Sequence, residues 1–467
     1  MLAAVASASW SVEPWRAPEN AAAQLDALLA SEVAWQQLTP AYTVLVDVGG
    51  KAVYTNNIGF ADVEHRIPAS TDTVYQIGSI SKSYTALAVL QLVESGDLQL
   101  DKSVADYLPD YNGPGRDASL RQLLTHTSGI PSYTALPDAE QLLTWVPNQR
   151  EDILRLFADK PLDFEPGSHY LYSNSGYYLL GLILEEVTGQ DYYALLQERV
   201  LDPLQLERTY SGRYGDIVNN RARGYLVTEE GFENAPPTPH LTPFAAGSIQ
   251  TTAEDLVRYR RAVFTSPAVS KKLRELVTTT FAFADGTPQI YSLGALTRAD
   301  HLGYTVWSHS GGISGFISHH AYYPELDMTV VVLTNTGNPP VAPSTLASKV
   351  ATVMLGGEIT EVTSAQTTID SERLRHYSGN FVMTPFRLTA DGLFTLLYQD
   401  ETLLARLGKA DDEQAPTVPL SAVGQRQFIG EGLPLEVRVL EDDGVVTGLE
   451  IMVAEDGPFP AIPAATL

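Results

Sequence analysis

Segments that read as β-strands lie near residues 41–58 and again near 305–334, and the stretch between them reads as helices and loops. Strands so far apart in a chain share one sheet only if the chain folds back on itself, so this spacing constrains the fold more than composition does. Ala41 to Val48 is apolar and β-branched, Gly49-Gly50 marks a turn, and Ala52 to Ile58 returns as the second arm of a hairpin. Thr305 to His309, Ile313 to Tyr323 and Met328 to Thr334 follow, the last two joined around Pro324-Glu325. Helices are expected at Ala21 to Val33, at Ser79 to Ser95 with Leu87, Leu90 and Val93 on its apolar face, at Tyr177 to Val187, at Ala253 to Val263 and at Pro343 to Leu355. Gly96 and Gly189 are stop signals, and Thr251-Thr252 supply an N-cap. The expected fold class is α/β of the α+β kind: an antiparallel sheet flanked by helices, with a helical subdomain inserted.

The texture changes near residue 357. A Thr/Ser-rich link, Thr360 to Thr368, precedes about a hundred residues with little helical periodicity. Short alternating runs there, such as Glu436 to Leu440 and Val445 to Val453, flank Asp-Gly turns at Asp391-Gly392 and Asp443-Gly444. The expected division is a main domain at 15–356, a linker at 357–370 and a small antiparallel β-barrel or sandwich domain at 371–467.

Composition narrows the partners. A formal charge of -26 argues against nucleic acid and anionic membrane surfaces. The chain has no cysteine, which excludes disulfides, thiolate catalysis and cysteine-based zinc sites. No apolar run reaches about 18 residues, so no membrane span is expected. Ala6-Ser7-Ala8 resembles the cleavage site of an export signal, without a basic start or a full apolar core. A periplasmic or secreted location is expected, with a cytoplasmic one left open. Oligomeric state is not legible.

Three short elements carry chemistry. Ser79-Ile80-Ser81-Lys82 stands ahead of a strongly helical stretch. Residues three apart share a helix face, so Lys82 lies beside the Ser79 hydroxyl. A serine needs an adjacent base to become a nucleophile, and a desolvated lysine has a lowered pKa that suits the task. Tyr172-Ser173-Asn174 follows the Pro166-Gly167 loop. A phenol near a cation acts as a base, and an amide such as Asn174 orients both lysine and substrate. His309-Ser310-Gly311-Gly312 ends a strand, and its paired glycines let a backbone approach a ligand closely. A backbone N–H there, with that of Ser79, would hold an oxyanion, worth about 3 kcal/mol per donor. Each element alone also has an ordinary structural explanation: an N-cap serine, an aromatic packed on the core, a glycine turn.

Together, Ser-x-x-Lys, Tyr-x-Asn and His-x-Gly in this order resemble the serine β-lactamase and penicillin-binding-protein-like superfamily, in its class C β-lactamase, D-aminopeptidase and esterase branch. Tyr75 to Ser79, Leu123 to Pro131, Glu165-Pro166-Gly167 and Ala246 to Thr252 extend the resemblance, which covers roughly residues 20 to 355. It implies a β-lactamase-like fold with a cleft between a helical and an α/β subdomain, and a lipocalin-like trailing domain opened by Tyr377 to Phe381. It implies Ser79 as the acylated nucleophile and Lys82 as its partner. Tyr172 would be the base for acylation and the acid to the leaving group. Asn174, as a positioning residue, and His309 would complete the catalytic set, and the N–H groups of Ser79 and Gly312 would form the oxyanion hole. Asn174, Gly311 and Gly312 would touch substrate. Many members carry Lys-Thr-Gly where this chain has His309-Ser310-Gly311; a mostly neutral imidazole is a poorer carboxylate anchor.

Other chemistries fit less well. Gly-x-Ser-x-Gly, the phosphate-binding Gly-x-x-x-x-Gly-Lys-Ser/Thr and His-Glu-x-x-His are all missing. His319 and His320 point to opposite faces of a strand, and His126 reads as a structural histidine. No metal or cofactor is expected. The expected function is a serine hydrolase that acts through an acyl-enzyme on small esters or D-amino-acid-containing peptides. Alternatives are a β-lactamase or D-alanyl-D-alanine carboxypeptidase, and a non-catalytic penicillin- or peptidoglycan-binding protein. The partner is a small-molecule ester, peptide or β-lactam. Loops at 132–165 and 213–245 are expected to wall its pocket.

Overall fold

Met328–Thr334 is buried at all seven positions, which only a strand covered on both faces requires. It is the centre of the main sheet. In the computed structural model, which describes residues 17–33, 40–136, 149–213, 215–228, 230–284, 286–359, 369–383, 387–389, 391–408, 415–430, 435–442, 445–453 and 456–463, six strands build that sheet. They are β1 (Tyr42–Val48), β2 (Lys51–Ile58), β3 (Thr297–His301), β4 (Tyr304–Ile313), β5 (Phe316–Tyr323) and β6 (Met328–Thr334). Their order is β2-β1-β6-β5-β4-β3, antiparallel throughout. The two ends of the region meet at the β1–β6 pairing, with Val44 opposite Val332 and Val46 opposite Val330.

Alternation along these strands fixes which helices cover which face. Val44, Val46, Val330 and Val332 pack with Leu25 and Leu29 of α1 (Ala21–Glu32) and Leu346 and Val350 of α5 (Pro343–Met354). Leu45, Val331 and Leu333 belong to the opposite core, with α2 (Ser81–Ser95), α3 (Asn174–Thr188) and α4 (Ala253–Thr265). Each such side chain contributes about 1.5–3 kcal/mol when buried. A one-residue slip would exchange the two sets, so the register is strongly specified.

After residue 368 a short helix, α6 (Ser371–Tyr377), leads into eight strands from Gly379–Met383 to Asp456–Pro463, which close into an antiparallel barrel. Phe381, Phe394, Leu396, Phe428, Val437 and Leu449 are buried and join the main core cluster. Ala6-Ser7-Ala8, the Thr360 to Thr368 link and the Asp443-Gly444 turn lie outside the described residues. Among the described residues no helix is long and apolar enough to cross a membrane.

Three local expectations are corrected. Tyr377 ends α6, capped by Asp370, and the barrel's first strand begins at Gly379. Ser79 sits in a tight 3₁₀ turn, Gly78–Ile80, and the α-helix proper starts at Ser81. The strand holding His309 does not stop there: β4 runs through both glycines to Ile313 and turns at Ser314-Gly315. Pairing with β5 supplies hydrogen bonds that outweigh the weak strand preference of glycine.

Candidate active site

The turn that carries Ser79 is pressed against the β4 backbone, and glycines make that approach possible. A Cβ on Gly311 would lie 1.9 Å from the Ile77 carbonyl oxygen. One on Gly78, whose φ is +49°, would meet the Gly312 backbone at 2.7–2.8 Å. Gly312 itself is open on its side-chain face, where an added methyl would stand 3.3 Å from Ile317 Cδ1. Ser318 on β5 stitches the contact by donating to Ile77 O at 2.9 Å. The main chains of Ser79 and Gly312 therefore border one small space at the start of α2, where the helix field favours negative charge.

Lys82, in the first turn of α2, is completely shielded from solvent. Its Nζ lies 2.7 Å from Asn174 Oδ1, 2.8 Å from Ala246 O and 3.1 Å from Ser79 Oγ. Among the described residues no carboxylate is within ion-pair distance of it, and burial holds its pKa well below the ordinary lysine range. Two acceptors fix two N–H directions, and the third tetrahedral position faces the serine. Protonated, Nζ donates to Oγ; neutral, its lone pair occupies that position and the Ser79 hydroxyl donates to it.

Tyr172 and Asn174 reach the same place from a distant segment. Asn174 opens α3 after its cap, Ser173, and its Nδ2 donates to Thr134 Oγ1 at 2.8 Å. Both ends of the amide are thus engaged, and its hold on Lys82 is direct. The ring of Tyr172 lies under Lys82, 4.8 Å from Nζ to centroid, a cation–π contact whenever Nζ is protonated. Such a contact contributes up to about 2 kcal/mol when desolvated. His126 braces this segment. Its backbone is left-handed (φ +56°), its carbonyl accepts from Leu171 N–H at 3.0 Å, and its Nδ1 accepts from Ser173 N–H at 3.0 Å. Its ring packs on that of Tyr172 with centroids 4.1 Å apart. Burial, and then the nearby Lys82, push its pKa well down, so the imidazole is neutral and structural.

His309 is also neutral, for reasons visible in its contacts. Nδ1 donates to Ser310 O at 2.5 Å, and Nε2 accepts from the Tyr291 hydroxyl at 2.8 Å. Burial, reinforced by Lys82, lowers its pKa to about 3. Its cross-strand partner is His320, whereas His319 pairs with Ser310 across β4–β5, and among the described residues no cluster of three metal-ligating side chains forms.

A cleft of about 740 Å³ opens over this group, with Ser79, Tyr172, His309, Gly311 and Gly312 on its wall. Lys82 and Asn174 stand behind that surface. The loop region at 132–165 contributes Ser132, Ala135, Leu136 and Asp163. The region at 213–245 contributes none among the described residues; its Ala235 and Gly224 pack on Gly315 instead and support the β4–β5 turn.

The model of the family described as Beta-lactamase matches residues 21–353. The chain belongs to the Beta-lactamase family. Protein flp of Staphylococcus aureus (strain MW2) is 31% identical over 303 residues, which are 63% of this chain and 59% of that protein. The chain thus matches under two thirds of that relative's length. The octameric penicillin-binding protein homologue from Pyrococcus abyssi has a similar structure, with a TM-score of 0.65 and 25% identity over 94% of this chain and 99% of that one. That likeness extends past the family match and takes in the barrel. A D-stereospecific amidohydrolase from Streptomyces sp. gives a TM-score of 0.61 and 27% identity over 71% of this chain and 98% of its own.

In this family member, motifs alone do not reveal several contributors to the site. The Ala246 carbonyl that holds Lys82 has no side-chain signature at all. Tyr291, the partner of His309, stands in a segment with no strong pattern. Arg387, Leu388, Leu407 and Pro416 reach the cleft wall from the barrel, and nothing local in the sequence links them to Ser79.

Proposed function

We propose that the protein is a serine hydrolase working through an acyl-enzyme at Ser79. The observation that carries this reading is the buried Lys82 Nζ, pinned by Asn174 Oδ1 and Ala246 O with its remaining position on Ser79 Oγ. Neutral Lys82, 3.1 Å from Ser79 Oγ, takes the serine proton as Oγ attacks the substrate carbonyl carbon, a role the resemblance gave to Tyr172. The oxyanion that forms is held by the N–H groups of Ser79 and Gly312. Collapse expels the leaving group with the proton now on Lys82 delivered through Tyr172, whose ring lies 4.8 Å from Nζ. Water then attacks the ester so formed and frees the acid and Ser79. Asn174 positions Lys82, and neutral His309 shapes the wall without offering charge.

The substrates in this reading are small esters or D-amino-acid-containing peptides, with esters somewhat ahead because His309 is a weak carboxylate anchor. The similarity to a D-stereospecific amidohydrolase supports the peptide side. The test is hydrolysis of p-nitrophenyl acetate and butyrate, D-alanyl p-nitroanilide and nitrocefin by the protein and by Ser79→Ala. Turnover of any one that disappears in the variant supports the proposal and names the class. A stable stoichiometric adduct without turnover would replace it with the penicillin-binding reading.

A further inference from the structure

The cleft over Ser79 has one wall from the barrel, and that wall is mainly apolar, with Leu388, Leu407 and Pro416 facing Leu136 and Leu171. Arg387 interrupts it from the barrel side, and Asp163, from the 132–165 region, shares the cleft. Arg387 is held in place. Its main-chain N–H donates to Tyr170 O at 2.9 Å, two residues before Tyr172. Its Nη2 donates to His169 Nε2 at 3.1 Å, and its guanidinium lies 5.6 Å from the Phe164 ring centroid. Burial, and then this guanidinium, lower the pKa of His169, so the imidazole that receives the hydrogen bond is neutral. Asp163 and Asp391 are the opposing charges; burial raises the carboxyl of Asp163, which weakens it as a counter-ion. Burial also lowers the pKa of Arg387, but from so high a starting value that a guanidinium stays ionised at any working pH. His309 stands where many relatives place a lysine, and both its nitrogens are engaged. Among the described residues, the firmly ionised cation on the cleft surface itself is therefore delivered by the barrel.

We propose that Arg387 anchors a carboxylate at the end of the substrate remote from the scissile carbonyl, so that preferred substrates have an apolar body and a terminal acid. The inference rests on the acyl-enzyme reading of Ser79. A guanidinium pairs with a carboxylate through charge-assisted N–H donors, and an apolar surround strengthens the pairing. The remote end is read by an element that takes no part in bond breaking.

The experiment compares matched esters. One pair carries the charge on the acyl side: glutaryl and pentanoyl p-nitrophenyl esters. The other carries it on the leaving group: para-acetoxybenzoate and para-acetoxybenzamide. The readout is the ratio of kcat/KM, acid over neutral, so any general change in a variant cancels. In at least one pair the ratio should exceed about tenfold, fall close to one in Arg387→Gln, stay partly elevated in Arg387→Lys and rise in Asp163→Asn. Ratios near or below one in both pairs, or ratios unmoved by Arg387→Gln, overturn the proposal. So does a preference for chains ending in an ammonium group, which would assign the wall to Asp163. If neither ester of a pair shows Ser79-dependent turnover, the acyl-enzyme reading fails instead. Calorimetric binding of glutarate against glutaramide then still reads Arg387: tighter glutarate binding supports the anchor, and equal binding removes it. The same wild-type measurement decides the matter if Arg387→Gln does not fold.

Discussion

The two walls of the cleft are built on opposite plans. On the sheet-and-helix side, the groups that matter are buried, polar and tied down: Lys82 between two acceptors and the Ser79 hydroxyl, Asn174 engaged at both amide ends, His309 held at both nitrogens. On the barrel side, the wall is apolar side chains around one arginine, reached through a loop anchored at Tyr170. The first plan gives fixed geometry and tuned charge, which bond-breaking needs. The second gives a surface that takes no part in bond breaking and, in the reading proposed above, selects among substrates. The contrast teaches that chemistry and selectivity can be assigned to different parts of one chain.

The sharpest way to break this comparison is at Lys82. Lys82→Ala should lower kcat/KM for a Ser79-dependent ester by about 100- to 10,000-fold while circular dichroism stays native. Near-normal turnover would dissolve the distinction between the walls. Next comes the glycine pair. Gly311→Ala forces a methyl onto a backbone oxygen and should displace the oxyanion donors, at a cost of about 100-fold or more in rate. Gly312→Ala meets only the tip of Ile317 and should cost far less. Equal effects would mean the strand does not press on the nucleophile turn as described.

Acid should separate the regions. His126, His309 and His320 are all held below the ordinary imidazole range, chiefly by burial. The unfolded chain therefore binds protons near pH 6.5 that the folded chain refuses, and stability present above that pH is lost as it falls towards about 3 for His309. The slope is up to about 1.4 kcal/mol per pH unit for each histidine that stays neutral. The barrel strands contain no histidine, and all five tryptophans lie at or before Trp307. Tryptophan emission in urea titrations should thus lose its midpoint steeply below about pH 6.5, whereas a flat midpoint contradicts the neutral assignments. A smaller effect is expected from Tyr291→Phe, which leaves His309 Nε2 without its donor and should cost about 1–3 kcal/mol in thermal unfolding. The smallest is on the barrel side: Leu407→Ala should raise KM several-fold for longer acyl chains and less for acetate. Equal changes for both would show that this wall does not sense chain length.

Much of the site was legible because its decisive spacing is local. Ser79 and Lys82 are three residues apart on a helix start, so their contact follows from helix geometry alone. The near-continuous apolar runs of β1 and β6 likewise read as strands, and both of their faces are buried. The turn at Gly78–Ile80 was not legible, because the same residues serve as a helix's first turn. Nor was the continuation of β4 through Gly311 and Gly312, which is set by its partner strand and not by glycine itself.

By itself, then, the order of residues determined the antiparallel sheet with its inserted helices, the trailing all-β region, and the placing of Lys82 beside Ser79. Periodicity and short spacings encode such things directly. Only the tertiary structure decided that Ala246 O completes the hold on Lys82, that Tyr291 fixes His309, and that Arg387 of the barrel faces the same cavity as Ser79. Those contacts join a backbone atom or a remote side chain across long stretches of chain, and no local pattern records which distant surface a folded segment will meet.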